Sequence, residues 1–383
     1  MRARSAARAA LSSQRGALPD PILSFKALNL PLDSFSLAQE PMTQLQFGIS
    51  QKFPFPGKLE LRQKVAELEA QAVSDDVAES RLALIRDVKL SWWGLFYIDQ
   101  ALKIITKNQS LLRQFVEIAE VKYSVGQGLQ QDVLLAQTEL SSLLDQEIQF
   151  TGARNRERAR LNASLGRSAD SEILLSGVVI EELPDPYLEN QLYAIAEGAR
   201  PLLARQVKSI QAASTRVELA EKDYYPDFDV GAAYGVRSGS NSFPRTGQRP
   251  DLFSLQLSMN LPLFADQKQA QAVDQRTSEL LQHQYAHRDG WLRVRSQVSE
   301  ALSDYLQARK QFSLFASGII PQARQTVASM LAGYKVNKVD FLNLVRSQIT
   351  LFNYDIQYWR AFSDAHQSLA KLAAAVGTEK IHE

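Results

Sequence analysis

The chain has 383 residues, a formal net charge of +1 and no cysteine. That balance offers no bulk electrostatic attraction for nucleic acid, and the missing thiols exclude disulfides, zinc–thiolate sites and thiol catalysis. No apolar run reaches the ~18 residues of a membrane-crossing helix, and the basic opening MRARSAARAALSSQRG lacks the apolar core of a signal peptide.

In chain order, period-two alternation predicts a strand over about 21–30, where Leu23, Phe25 and Ala27 oppose Ser24 and Lys26. A second strand, about 43–53, sets Phe47, Ile49, Gln51 and Phe53 against Gly48, Ser50 and Lys52. Pro54-Phe55-Pro56-Gly57 ends it, because proline has no N–H to donate to a ladder. From Lys58 to Val125 there is no proline and one glycine, Gly94. As helix this stretch would extend roughly 100 Å. Its apolar positions step by three and four (Leu61, Val65, Leu68, Ala72; then Ile85, Val88, Trp92, Leu95, Ile98), a coiled-coil-like seam. A turn after Tyr123 leads into a returning helix over about 129–166. A helical preamble follows at about 189–223, then strands at about 227–237 and 252–263. In the last of these Phe253, Leu255, Leu257, Met259 and Leu261 oppose Ser254, Gln256, Ser258 and Asn260. Helices over about 267–334 and 340–377 complete the chain, with kinks expected at Gly290, Gly318 and Pro321.

The order repeats. LPDPILSFKAL (Leu18 to Leu28) matches YPDFDVGAAYG at a spacing of 207, LQFGISQKFPF matches FSLQLSMNLPL at 208, and YSVGQGLQQDVLLAQTEL matches YKVNKVDFLNLVRSQITL at 211. Two copies result, 1–188 and 189–383. The first has only residues 1–17 in place of the preamble, so Met1 is expected to be a truncated or misplaced start, with an export signal upstream.

The strands have the length of tilted membrane-spanning strands, and aromatics such as Phe53, Phe55, Tyr224, Tyr225, Phe228 and Phe264 gather near their ends. Alternation alone also fits a half-buried sheet packed on helices. Two pairs of strands far apart in sequence cannot close a barrel by themselves, and open edges are forbidden in lipid. Several copies pooling their strands would satisfy both demands, with linkers 32–42 and 238–250 as loops at the outer rim. A soluble coiled-coil scaffold explains the helices and leaves the strands unexplained. No catalytic constellation is visible. His283 and His287, at i and i+4, carry no HExxH pattern and read as a surface pair. Met1, Met42, Met259 and Met330 are scattered. Neither a metal site nor a cofactor is expected, and the chain reads as a non-enzyme.

Strand pairs, long hairpins and tandem repeat, with ALPDP, SQKFPFPGK, YYPDFDVGAAYG, LSMNLPLF, ARPLLARQ and YKVNKVDFLNLVRSQITL, together resemble the TolC-like outer membrane efflux family along essentially the whole chain. QKFPFPGKLELR is most similar to its heavy-metal branch, the outer membrane components of cobalt–zinc–cadmium and copper–silver exporters. The resemblance implies a mostly α fold with a membrane β-barrel. In a homotrimer, four strands per chain would form one twelve-stranded barrel and the α-helical coiled-coil hairpins a periplasmic tunnel. It implies the outer membrane of a Gram-negative bacterium and a passive conduit for metal ions or small toxic compounds. The partners would be outer membrane lipid, a periplasmic adaptor (membrane fusion) protein and an inner-membrane proton-driven RND pump, with no nucleic acid. The same fold also serves type I protein secretion.

On this pattern Pro54, Pro56, Gly57 and Pro262 are strand-to-helix joints. Val125, Gly126, Leu129, Val336, Asn337 and Val339 form the adaptor-contact tips, though they also read as helix caps; Gly126 and Asn337 suit a left-handed turn. Tyr334 and Asp132 match the family's gate tyrosine and aspartate, with a hydroxyl–carboxylate bond between them. Asp340, Asn343 and Arg346 would line the same constriction. The gate arginine of some relatives falls on Val339 and their tunnel aspartates on Asn343 and Arg346, so an acidic, cation-selective ring does not carry over.

Overall fold

The computed structural model describes residues 1–175, 181–241 and 246–382. In order, the elements are α1 Arg2–Gly16, β1 Ile22–Leu28, β2 Gln44–Phe53, α2 Lys58–Ser124, α3 Gln130–Ser164, α4 Glu189–Ala199, α5 Pro201–Lys222, β3 Phe228–Val236 and β4 Leu252–Met259. They continue with α6 Gln269–Leu314, a π turn Phe315–Ile319, α7 Ile320–Lys335 and α8 Phe341–Val376. No helix among the described residues is long and apolar enough to cross a membrane. The preamble is two helices rather than one, because Pro201 disfavours helix at Arg200 and itself suits a first helical turn.

The four strands form one antiparallel sheet in the order β1-β2-β3-β4. The two sequence-distant pairs are therefore joined: β2 runs beside β3 from Leu45 opposite Val236 to Phe53 opposite Phe228. Directly opposed residues share a face. Leu23, Ile49, Ala232 and Leu255 line up across the sheet, and so do Phe25, Phe47, Tyr234 and Phe253. The other face carries the rows Ser24–Gly48–Ala233–Ser254 and Ser50–Gly231–Gln256. The apolar face is bare: Leu23 is 82% and Leu255 77% exposed. A soluble half-buried sheet would have a layer over that face, and among the described residues there is none. Among the described residues no strand pairs with the outer edge of β1 or of β4. β4 stops at Met259, short of the expected 263, because Asn260 turns away to accept the Asp227 backbone N–H on its side chain (2.6 Å). Linkers 32–42 and 238–250 are tied by Arg249, which donates to the carbonyls of Ala38 (3.0 Å) and Glu40 (2.9 Å). Residues 242–245 of the second linker lie outside the described residues.

The helices follow from what their sequences omit. α2 runs 67 residues unbroken. α6 also continues unbroken through Gly290, whose backbone lies close to the Gln206 side-chain amide of α5: a Cβ there would come within 2.5 Å of its oxygen. The interruption expected at Gly318 and Pro321 is the π turn. Proline lacks an N–H and its ring strikes the carbonyl four residues back. One widened turn, with the Ile320 N–H reaching the Phe315 carbonyl, absorbs that.

Two compact units arise, and neither coincides with a sequence copy. One comprises 1–77 and 202–290, the other 78–201 and 291–383. The first holds the sheet, α1, α5 and the adjoining parts of α2 and α6. The second contains the remaining helices, and two of its side-chain clusters hold the turns and the aromatic residues. In one, Ile105, Leu112 and Phe115 of α2 meet Val133 and Ala136 of α3, Tyr334 of α7 and Phe341, Leu344 and Phe352 of α8. The other is aromatic. Trp93 stacks on His366 (3.8 Å between ring centres) and meets Phe96 and Phe362 edge-on, while Phe312 stacks on Tyr358.

Burial among these rings pushes the His366 imidazole down from its ordinary 6.5 to about 4. It is thus neutral in the folded chain and would charge earlier in the unfolded one. The unfolded state binds the extra proton between those two values, so stability is full above pH ~6.5 and falls as pH drops toward ~4, by up to ~3 kcal/mol. Chemical denaturation across this range is expected to show the loss in the parent chain and a flatter profile in His366→Phe.

Candidate functional site

The two helical turns are built alike to the residue. α2 ends at Ser124 and α7 at Lys335; α3 begins at Gln130 and α8 at Phe341. Each pair is 211 apart. Gly126 (φ 71°) and Asn337 (φ 56°) both take the left-handed conformation that ends a helix. In the first turn the Gly126 N–H donates to Tyr123 O (3.0 Å) and the Gln127 N–H to Lys122 O (2.8 Å). In the second, Asn337 donates to Tyr334 O (3.1 Å) and Lys338 to Gly333 O (2.9 Å). Leu129 and Asp340 then extend the chain and cap α3 and α8 with their carbonyls, which accept from Asp132 (3.0 Å) and Asn343 (3.2 Å). Val125, Leu129 and Val336 are exposed at the apices, while Val339 is half-buried over Gly333. Val125, Leu129 and Val336 are each more than half exposed.

The environments of the two turns differ. Tyr334 is 7% exposed, with its ring against Phe341 (5.3 Å) and the Lys122 ammonium 4.0 Å from its centre. Its counterpart Tyr123 is 49% exposed. Burial first, and the charge of Asp132 second, push the Tyr334 phenol above its ordinary range. Asp132 is thus within electrostatic reach, but no hydrogen bond joins the pair within the chain among the described residues. The expected hydroxyl–carboxylate bond is therefore not an intrachain one. Asp340 heads α8 with an exposed side chain that makes no capping bond. Asn343 and Arg346 lie one turn apart on the exposed side of α8, opposite Leu344 and Val345 in the core. Among the described residues neither side chain has a partner.

At the first joint, Pro54 and Pro56 carry the chain out of β2, Gly57 takes φ 90°, and α2 starts at Lys58. Two residues missed in the sequence hold it. The Lys58 side chain is 3% exposed; its ammonium donates to Asp227 (2.9 Å) and Tyr225 O (3.0 Å) and pairs with Asp223 (3.2 Å). Asp227 also accepts the Phe55 N–H (3.0 Å). At the second joint, Pro262 follows Asn260, whose side chain holds the other side of the Asp227 backbone. One aspartate therefore fastens both joints. The only sequence signal for it is its place in the repeated Pro-Asp of YPDF and LPDP. Lys122 was missed likewise, since a lysine in the last turn of a helix is ordinary.

Among the described residues no three His, Asp or Glu side chains gather as a metal site.

A family model described as "Outer membrane efflux protein" matches residues 3–167 and 192–378. Among solved structures, the outer-membrane channel OprN is 16% identical over 98% of this chain and 85% of its own, with a TM-score of 0.81. The outer membrane protein VceC from Vibrio cholerae is 16% identical over 98% and 91%, with 0.79. CusC, whose structures concern folding and transmembrane channel formation, is 15% identical over 98% and 87%, with 0.80. No curated protein sequence matches significantly. At these identities the structural likeness establishes the fold, and the two matched segments reproduce the tandem repeat.

Removing the buried cation at the joint leaves two carboxylates facing one another. Lys58→Met is expected to lower stability by ~3 kcal/mol or more, measured by chemical denaturation, and Asp227→Asn in the same chain to recover part of that loss.

Proposed function

The chain belongs to the outer membrane efflux protein family, and from that premise we propose that it is the passive outer membrane channel of a tripartite export system, assembled as a homotrimer. The observation that carries this reading is the sheet. Among the described residues it has one continuous exposed apolar face and two unpaired edges, so a single chain satisfies neither water nor lipid. Three chains placing β4 beside the β1 of the next would close twelve strands into one barrel, an even number as bacterial barrels require. The apolar face then meets lipid and the Ser24, Gly48, Ser254 and Gln256 face lines the interior.

In this reading the long helical hairpins stand in the periplasm of a Gram-negative bacterium, and the residues at both turns have separate tasks. Val125, Gly126, Leu129, Val336, Asn337 and Val339 meet the adaptor protein, for which exposed valine and leucine side chains on rigid turns are suited. Tyr334, Asp132, Asp340, Asn343 and Arg346 lie at the closing constriction. The joints at Pro54, Pro56, Gly57 and Pro262 mark where membrane strand gives way to periplasmic helix. Energy comes from a proton-driven RND pump in the inner membrane. The cargo is metal ions or small toxic compounds, and QKFPFPGKLELR supports the heavy-metal branch.

The two sheet faces test this directly. Leu255→Arg or Ile49→Arg is expected to impair insertion into the outer membrane by ~2–4 kcal/mol near the bilayer midplane, whereas Ser254→Arg and Gln256→Arg are tolerated. Heat-modifiable mobility of membrane fractions on gels reads the outcome. Equal damage from both faces would contradict the barrel.

A further inference from the structure

The two turns share a backbone, and among the described residues a side chain of the first copy, Lys122, hydrogen-bonds into the second turn. Lys122, on the last turn of α2, donates from Nζ to the Tyr334 carbonyl (3.2 Å) and to Asn337 Oδ1 (2.8 Å). It also stands over the Tyr334 ring. These contacts gather at the C-terminal end of α7, where the helix dipole attracts a cation, the Tyr334 carbonyl accepts from Lys122 as well as from the Asn337 N–H, and the ring face adds to the attraction.

Three differences between the copies make this a one-way tie. At a spacing of 211, the position of Lys122 is Gly333 in the second copy, where a Cβ would lie 2.5 Å from Val339. The position of Asn337 is Gly126, which has the same left-handed backbone and no acceptor. The position of Phe341, which walls in Tyr334, is Gln130. Glycine takes a left-handed turn at no steric penalty and asparagine at some, so the second turn accepts strain at the one place where its side chain meets Lys122.

We propose that Lys122 is the intrachain latch of the tip: it holds hairpin α2–α3 against hairpin α7–α8 and is released when the tip opens. The proposal rests on the channel reading above. It adds a positioning residue to that reading, placing part of the closing force inside each chain rather than between chains. A partly solvated ammonium on neutral acceptors is a tie that a docking partner can displace, unlike a buried carboxylate pair.

The absence of cysteine permits a clean test. Val125→Cys and Val336→Cys, spin-labelled in chains diluted among unlabelled ones, report the separation of the two apices by pulsed electron resonance; planar-bilayer recording reports conductance. Lys122→Met keeps the stem and removes the donors, Lys122→Arg restores them, and Asn337→Gly removes only the acceptor. A narrow distance distribution is expected in the parent and in Lys122→Arg. Lys122→Met and Asn337→Gly are each expected to broaden it and to raise conductance several-fold with assembly unchanged, and combining them adds nothing further. A distribution still narrow in Lys122→Met overturns the latch, and a broadened one with unchanged conductance overturns its gating role. A parent protein that forms no channel overturns the function reading instead, and the distances then still decide whether the tie exists.

Discussion

Backbone N–H and C=O groups on a sheet edge must find partners, and in hydrocarbon no water can supply them. Among the described residues the four-stranded sheet has two such edges and an exposed face of leucine, phenylalanine and valine. Everything else about the molecule is arranged around that incompleteness. The joints stop the ladder with proline and hand the chain to helix. Asp227 ties both exits of the sheet to one point, through Phe55 and Lys58 on one side and Asn260 on the other. In the proposed assembly other copies complete the sheet, which needs its strands delivered in fixed register, and the buried Lys58–Asp227 clamp holds the end of β2 to the start of β3.

The tandem repeat gives the second layer of organisation. The copies do not fold as separate bodies: each compact unit takes segments from both. Sheet and joints come from the first part of each copy, and the paired turns from the later part. Where the copies remain alike, as in the hydrogen bonds of the turns, the shared feature is backbone geometry. Where they diverge, as at Lys122 and Gly333, Gly126 and Asn337, or Gln130 and Phe341, side chains of one copy serve the other. Divergence within a repeat therefore marks contact between hairpins.

Fold class was legible because its signals are local. Alternation announces strands, a long stretch without proline announces helix, and proline pairs announce the exits. The tip geometry was legible for the same reason, since glycine and asparagine advertise the left-handed turn. What the sequence hid is long-range. Lys58 meets Asp227 across 169 positions and Lys122 meets Asn337 across 215, and each lysine reads as an ordinary helix-end residue on its own. The Tyr334–Asp132 pair is close enough for the carboxylate to act on the phenol, while Lys122 and Phe341 lie against the tyrosine ring.

The central claim is that the sheet edges are sealed by other copies of this chain. Native mass spectrometry of the detergent-purified, folded protein measures it most directly. The account predicts a single species of three chains that keeps its β signal in circular dichroism. A monodisperse monomer, or an assembly without ordered strands, would contradict it.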